Sequence, residues 1–288
     1  AEAYGDAVAY SFRPNPHKPD VVLRSFRQLR DDVRALAARL SAMGCAGKHC
    51  AVIGKLSYDW VLTYFAVLSI GGVLVPLDPE WQKEDLADTV SKANVSFLFC
   101  DEDISDKAEF IADQATLDAE PIFLNAKKEE NSLDALLERG REKFARSSKE
   151  YYGAEIDPYK MSLLVFTSGT TGKGKGVMLS QKNIFAAVNA ACETVCFSPE
   201  DVIMSVLPVH HTYELMCLIA ASLFGMEVCI NDSLRHVMKN LQIFKPTGLV
   251  LVPLFLNTMY KKIWSEAERT KKDKVLKTAL ATSKTMLP

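Results

Sequence analysis

Apolar positions along the chain gather in short runs separated by amphipathic stretches. Ser25-Phe26-Arg27-Gln28 has the Ser-x-x-Gln form of a capping box. After it Leu29, Val33, Leu36, Leu40 and Met43 recur at helical spacing until Gly44 ends the pattern. A strand at Cys50–Ile53 and a helix from Ser57 to Gly71-Gly72 follow, then a strand at Val73–Leu77 closed by the turn-forming Asp78-Pro79. Further strands are predicted at Ser96–Cys100 and Pro121–Leu124, with a helix between them. From Lys127 to Asp157 the chain is charged and weakly periodic, apart from a short helix near Leu133–Leu137, and reads as a surface excursion or subdomain junction. The alternation resumes with strands at Met161–Phe166, Val202–Leu207, Glu227–Ile230 and Gly248–Val252, and helices near Gln181–Cys196, Tyr213–Phe224 and Leu254–Ala267. Strands alternating with helices predict an α/β fold with mostly parallel sheets flanked by helices. The junction divides it into two α/β subdomains, residues 1–157 and 158–288.

Composition narrows the class rather than the function. With 48% hydrophobic and 24% charged residues, a disordered chain and a small disulfide scaffold are excluded. Basic and acidic residues number 34 and 36, a formal charge of −2, so no nucleic-acid partner is expected. No apolar run approaches the roughly 18–20 residues of a membrane-spanning helix. The seven cysteines sit mostly in apolar runs such as Phe97-Leu98-Phe99-Cys100, which reads as reduced, buried thiols of a cytoplasmic protein. The first residues, Ala1 to Asp6, lack the layout of a signal peptide. Cys192 and Cys196 share a helix face without a second ligand pair, which favours packing over a metal. Asp101-Glu102-Asp103 reads as a solvated turn or helix cap. Lys261–Lys277, with seven basic and three acidic residues, reads as a solvated helix face.

The chemistry concentrates after the apolar strand Leu163-Leu164-Val165-Phe166. Thr167-Ser168-Gly169-Thr170-Thr171-Gly172-Lys173-Gly174-Lys175-Gly176 packs four hydroxyls, four glycines and two lysines into ten residues. Glycines let backbone N–H groups turn inward and approach a ligand, the hydroxyls add neutral donors, and the lysines add mobile positive charge. Many donors on one concave path is what a polyphosphate requires. The P-loop of nucleoside triphosphatases shares Gly169-x4-Gly174-Lys175, but Gly176 stands where that loop needs Ser or Thr for magnesium. That loop also opens into a helix, whereas Gly176-Val177-Met178-Leu179 reads as extended and Ser180 caps the next helix.

Thr167–Gly176 with Val177-Met178-Leu179-Ser180 resembles the signature loop of the adenylate-forming enzymes, which include acyl-CoA synthetases, luciferases and peptide-synthetase adenylation domains. The family pattern is Thr-Ser-Gly-Thr-Thr-Gly-x-Pro-Lys-Gly. Nine of its ten positions fit, and Gly174 replaces the usual proline. Ser25-Phe26 with Leu29 resembles the family's early helix start, and Leu68–Pro79 its second core motif. Leu207-Pro208-Val209-His210-His211-Thr212-Tyr213-Glu214 resembles the Leu-Pro-x-x-His-x-x-Glu form of long-chain acyl-CoA synthetases.

The resemblance implies an α/β large N-terminal domain, incomplete here, of a ligase that activates a carboxylic acid with ATP and passes it to coenzyme A. It implies that Thr167, Ser168, Gly169, Thr170, Thr171, Gly172, Lys173 and Lys175 surround the nucleotide's phosphates, that Thr167 touches Mg2+, and that His211 and Tyr213 stand beside the acyl group. His210 is assigned to scaffold. The acid is a fatty acid by this resemblance, because His-His-Thr-Tyr stands where amino-acid-activating relatives carry an aspartate. The thiol acceptor is coenzyme A or a carrier protein. The family's later glutamate motif, ribose-binding aspartate and terminal lysine have no match before Pro288, which implies a part inactive by itself. The alternative is a degenerate, non-catalytic nucleotide-binding or scaffold module.

Overall fold

The computed structural model describes residues 3–126, 130–146, 156–167 and 174–286. Two sheets organise residues 1–249. Strands β1 (Val8–Phe12), β2 (Val22–Ser25), β9 (Val202–Ser205), β10 (Glu227–Ile230) and β11 (Gly248–Leu249) form one, in the order β11-β9-β10-β1-β2. Strands β3 (His49–Ile53), β4 (Val73–Leu77), β5 (Val95–Asp101), β6 (Ile122–Leu124), β7 (Met161–Thr167) and β8 (Lys175–Ser180) form the other, in the order β6-β5-β3-β4-β7-β8. Pairing is parallel throughout except in β1–β2 and β7–β8. The α/β architecture with mostly parallel, helix-flanked sheets is therefore as the sequence indicates.

The pleat of the six-stranded sheet divides two cores. Cys50, Val52, Leu74, Phe97, Phe99 and Leu163 belong to a core shared with helices α1 (Phe26–Ala42) and α2 (Tyr58–Ser69). Their neighbours Ala51, Ile53, Val75, Leu77, Leu98 and Cys100 face a second core, covered by α3 (Lys83–Lys92) and α4 (Ser105–Gln114). Alternate residues of a strand point to opposite faces, and burying each such apolar side chain stabilises by about 1.5–3 kcal/mol. α1 begins with the capping box expected of it: Ser25 Oγ accepts from the Gln28 amide, and Gln28 Oε1 accepts from the Ser25 amide.

Several elements differ from expectation. β1, β2 and α3 lie in stretches whose own pattern is weak; β1 is buried because β10, more than 200 residues on, pairs with it. The short helix near Leu133 is α5 (Leu133–Arg146), with Leu133, Leu136 and Leu137 buried in the first core. It lies so close to α1 that a side chain at Gly140 would run into the Ala35 carbonyl. Asp101 is buried rather than solvated. Helix α6 (Gln181–Cys192) stops before Cys196, which is exposed.

The remaining α-helices among the described residues of this body are α7 (Thr212–Phe224) and α8 (Val237–Phe244). Residues 250–288 form a separate unit of two helices, α9 (Pro253–Arg269) and α10 (Asp273–Met286). Lys261–Lys277 thus crosses a helix break at left-handed Lys271. No residue of α9 is buried.

Candidate functional site

The glycine-rich loop is mounted on a hairpin. β7 and β8 pair antiparallel with Thr167 opposite Lys175, and the Thr167 hydroxyl reaches the Lys175 carbonyl at 3.4 Å. Thr167 and Lys175, both exposed, therefore mark where the loop leaves the sheet and where it returns. The predicted residues Ser168, Gly169, Thr170, Thr171, Gly172 and Lys173 lie outside the described residues. Gly174 has room: a Cβ there would meet nothing closer than the Thr167 carbonyl oxygen, at 3.4 Å. β8 then runs into Ser180, whose hydroxyl caps α6 by accepting from the Asn183 amide. The extended exit that separates this loop from a nucleoside-triphosphatase P-loop is present.

A second loop joins β9 to α7 and carries the histidines. It turns at Pro208, whose carbonyl accepts from the His211 amide at 3.1 Å. His211 occupies the N-cap position of α7 without a side-chain capping bond. His211 and Tyr213 are exposed. Their ring neighbour His210 is half-buried, its imidazole 4.4 Å from that of His211 between centroids. Beneath the loop lies Glu214, fully buried on the first turn of α7. Its Oε1 accepts a short hydrogen bond from the Ser205 hydroxyl at the end of β9, and its Oε2 is buried without a partner. Burial pushes the Glu214 carboxyl up to about 7, opposed by the Ser205 hydroxyl and the Leu207 amide.

Asp78 holds the histidine loop. His210 Nε2 lies 3.5 Å from Asp78 Oδ2, on the turn that leaves β4. β4 neighbours β7 with Leu74 opposite Leu163. The histidine loop of one sheet is thus held against the turn that leaves β4 in the other, the strand beside β7. Burial lowers the His210 pKa, with Asp78 opposing. Sequence reasoning gave Asp78, Ser205 and Glu214 no role. Glu214 left a signal, as the single charge in α7.

Polar groups also gather at the carboxyl ends of β3 and β5. A cavity of about 940 Å³ opens there, lined among others by Lys55, Asp59, Asp101, Asn125 and Arg141. The helices leaving β3 and β5 lie on opposite faces of the sheet, so this is its topological switch point. Asp101 accepts from the Lys55 amide at 2.8 Å and from Asn125 Nδ2 at 2.9 Å. Asp59 accepts from the Asn125 amide at 2.8 Å. Asn125 does both from a left-handed conformation, φ 59°, that asparagine tolerates better than most residues. Burial pushes both carboxyls up to about 6.

Among the described residues no group of three His, Cys, Asp or Glu side chains could hold a metal ion. Nor is any helix among them long and apolar enough to cross a membrane. The cysteines expected to be free thiols are free: Cys45, Cys50, Cys100 and Cys229 are buried, with Cys45 and Cys50 Sγ 3.1 Å apart.

Comparison with known proteins gives the fold and the family. A long-chain-fatty-acid–CoA ligase 5 of Rattus norvegicus is 28% identical over 275 residues, covering 89% of this chain and 40% of the relative. The crystal structure of VinN superposes with a TM-score of 0.76 at 20% identity, over 93% of this chain and 62% of that one. The N-terminal domain of FACL13 from Mycobacterium tuberculosis, crystallised with an inhibitor, superposes with a TM-score of 0.74 at 20% identity, over 88% of this chain and 61% of that one. At those identities the structures establish the fold alone. The chain spans about two fifths of the length of the curated relatives it matches. The family model for AMP-binding enzymes matches residues 1–286, nearly the whole chain. A chain with a glycine-rich stretch on a β-hairpin and a histidine loop after a parallel strand thus belongs to the AMP-binding enzyme family.

Proposed function

We propose that this chain supplies the phosphate-binding and acyl-binding walls of a ligase that activates a carboxylic acid, a fatty acid, with ATP and transfers it to coenzyme A. The observation that carries the reading is the hairpin register, which sets Thr167 opposite Lys175 on the strand beside β4, whose end carries Asp78 against His210. In the reaction a carboxylate oxygen bonds to the α-phosphorus of ATP, the bond from that phosphorus to the β-bridging oxygen breaks, and pyrophosphate leaves. A thiol then attacks the acyl carbon, its proton is lost, and AMP leaves.

The loop from Thr167 through Lys175 does the electrostatic work. Its hydroxyls (Thr167, Ser168, Thr170, Thr171), its amides at Gly169 and Gly172, and Lys173 and Lys175 spread donors over the departing phosphates. Each charge-assisted hydrogen bond of this kind is worth about 1.5–3 kcal/mol. A rigid hairpin base makes their placement cheap at the moment charge develops. With no three-residue ligand cluster among the described residues, a magnesium ion would be held largely by the nucleotide's phosphates, with the Thr167 hydroxyl as a protein ligand, and would supply charge neutralisation. His211 and Tyr213 would line the acyl site and hold the carboxylate in line with the α-phosphate.

ATP–pyrophosphate exchange by the whole protein over a panel of carboxylic acids tests this. Exchange with fatty acids, reduced at least tenfold by Lys175→Ala, is the expected result, and coenzyme A rather than a carrier-protein thiol should discharge the adenylate. No exchange with any acid would overturn the reading and favour a nucleotide-binding or scaffold role.

A further inference from the structure

Glu214 is out of place as a structural residue. The other twelve residues of α7 are uncharged, and its buried positions include Leu215, Leu218, Ile219, Ala220 and Ala221. A buried carboxyl with one oxygen left unpartnered is less favourable to the fold than a fully bonded one. A leucine would fill the same slot without that cost. What the carboxyl does gain is grip: it holds the hydroxyl of Ser205, the last residue of β9, and faces the amide of Leu207. Between Leu207 and α7 the chain has only Pro208 to His211 in which to turn, so these two anchors set the direction of the whole loop.

We propose that Glu214 is a positioning residue for the candidate site: from beneath the loop it fixes Ser205 and Leu207, and so sets where His210 and His211 stand against Asp78 and the end of β4. This rests on reading that loop as the wall of the acyl site. The groups around the carboxyl are Ser205 on β9, Tyr213 and Cys217 on its own helix, Cys192 on α6 beside Cys217, and His210 and His211 on the loop, with Asp78 beyond. Tyr213 and Cys217 are themselves displaced upward, chiefly by burial and further by Glu214. Neither they nor Cys192 are poised to ionise at neutral pH, so they do not supply a titration felt by the loop near neutrality.

Amide NMR signals of Leu207, His210 and His211, followed from pH 5 to 9 without nucleotide or acid, test the proposal. All three should share one inflection near pH 7 that survives His210→Gln and His211→Gln and is lost in Glu214→Gln, which keeps the shape of the side chain. Ser205→Ala removes a bond that favours the carboxylate, so it should move the shared inflection to higher pH; this variant decides the matter should Glu214→Gln fail to fold. An inflection that persists at His210 and His211 in Glu214→Gln would overturn the proposal. So would a response confined to Leu207, or an unmoved inflection in Ser205→Ala. Because no substrate is present, the proposal can fail while acid activation stands, and the reverse.

Discussion

Asp101 and Glu214 are both buried carboxyls at the carboxyl end of a parallel sheet, one in each sheet, and both are pushed up by burial. Asp101 ends β5 with both oxygens engaged, by the Lys55 amide and by Asn125. The backbone around it is shaped to suit: a Cβ at Gly54 would lie only 2.7 Å from its carboxyl carbon. Glu214 has its Oε1 on the Ser205 hydroxyl and its Oε2 without a partner. A fully bonded carboxyl ties the loops of its own sheet together and serves the fold. A half-bonded one, placed under a loop that carries exposed histidines, weakens the fold, and on the role proposed above it does so to hold that loop. The same inventory of residue types, judged by which hydrogen bonds are complete, separates a structural corner from a functional one.

The comparison is broken most readily by removing the carboxyls. Asp101→Ala leaves the Lys55 amide and the Asn125 side chain without their acceptor, and should cost about 4 kcal/mol of unfolding free energy in urea. Glu214→Leu should change it by no more than about 1 kcal/mol. Equal losses would abolish the distinction.

Next in size is pH. Glu214 binds its proton more tightly folded than unfolded, so the stability it contributes is complete below pH 4.5 and lost as pH rises towards about 7. The loss is on the order of 3 kcal/mol, and Glu214→Gln should flatten it. Asp101 acts with the same sign between about pH 3.8 and 6, and Asp101→Asn should flatten that earlier window instead. Urea midpoints across pH 4 to 8 separate the two.

Smaller still is the contact between His210 and Asp78. Half-buried and 3.5 Å long, it should contribute at most about 1 kcal/mol, so His210→Gln should leave the midpoint nearly unchanged while moving the His211 amide signal. The exposed pair of Lys55 Nζ and Asp103, at 3.1 Å, should contribute least. Lys55→Ala is expected to cost under about 0.5 kcal/mol at low salt and nothing measurable at 1 M salt.

Much of the fold was legible because it is local. The capping box at Ser25, the apolar runs of β3, β4 and β5, and the Ser180 cap after an extended β8 are each written within a few residues. What stayed hidden depends on distant partners. β1 becomes a central strand only because β10 and β2 flank it, and α5 is a packed helix only because Gly140 admits the α1 backbone. At the candidate site, the glycine-rich loop and the histidines were readable as chemistry in sequence. The contact of the histidine loop with the end of β4 was not, since it runs through Asp78, a residue that looks like ordinary turn punctuation.

The account turns on the hairpin loop, rather than the cavity at β3 and β5, being the place where nucleotide is held. Backbone amide NMR of the chain during titration with MgATP tests this most directly. Shifts should begin at Thr167, Lys175 and Gly176 and extend to His211, and Lys175→Ala should weaken them at least tenfold. Shifts confined to Lys55, Asp101 and Asn125, or none at millimolar nucleotide, would contradict it.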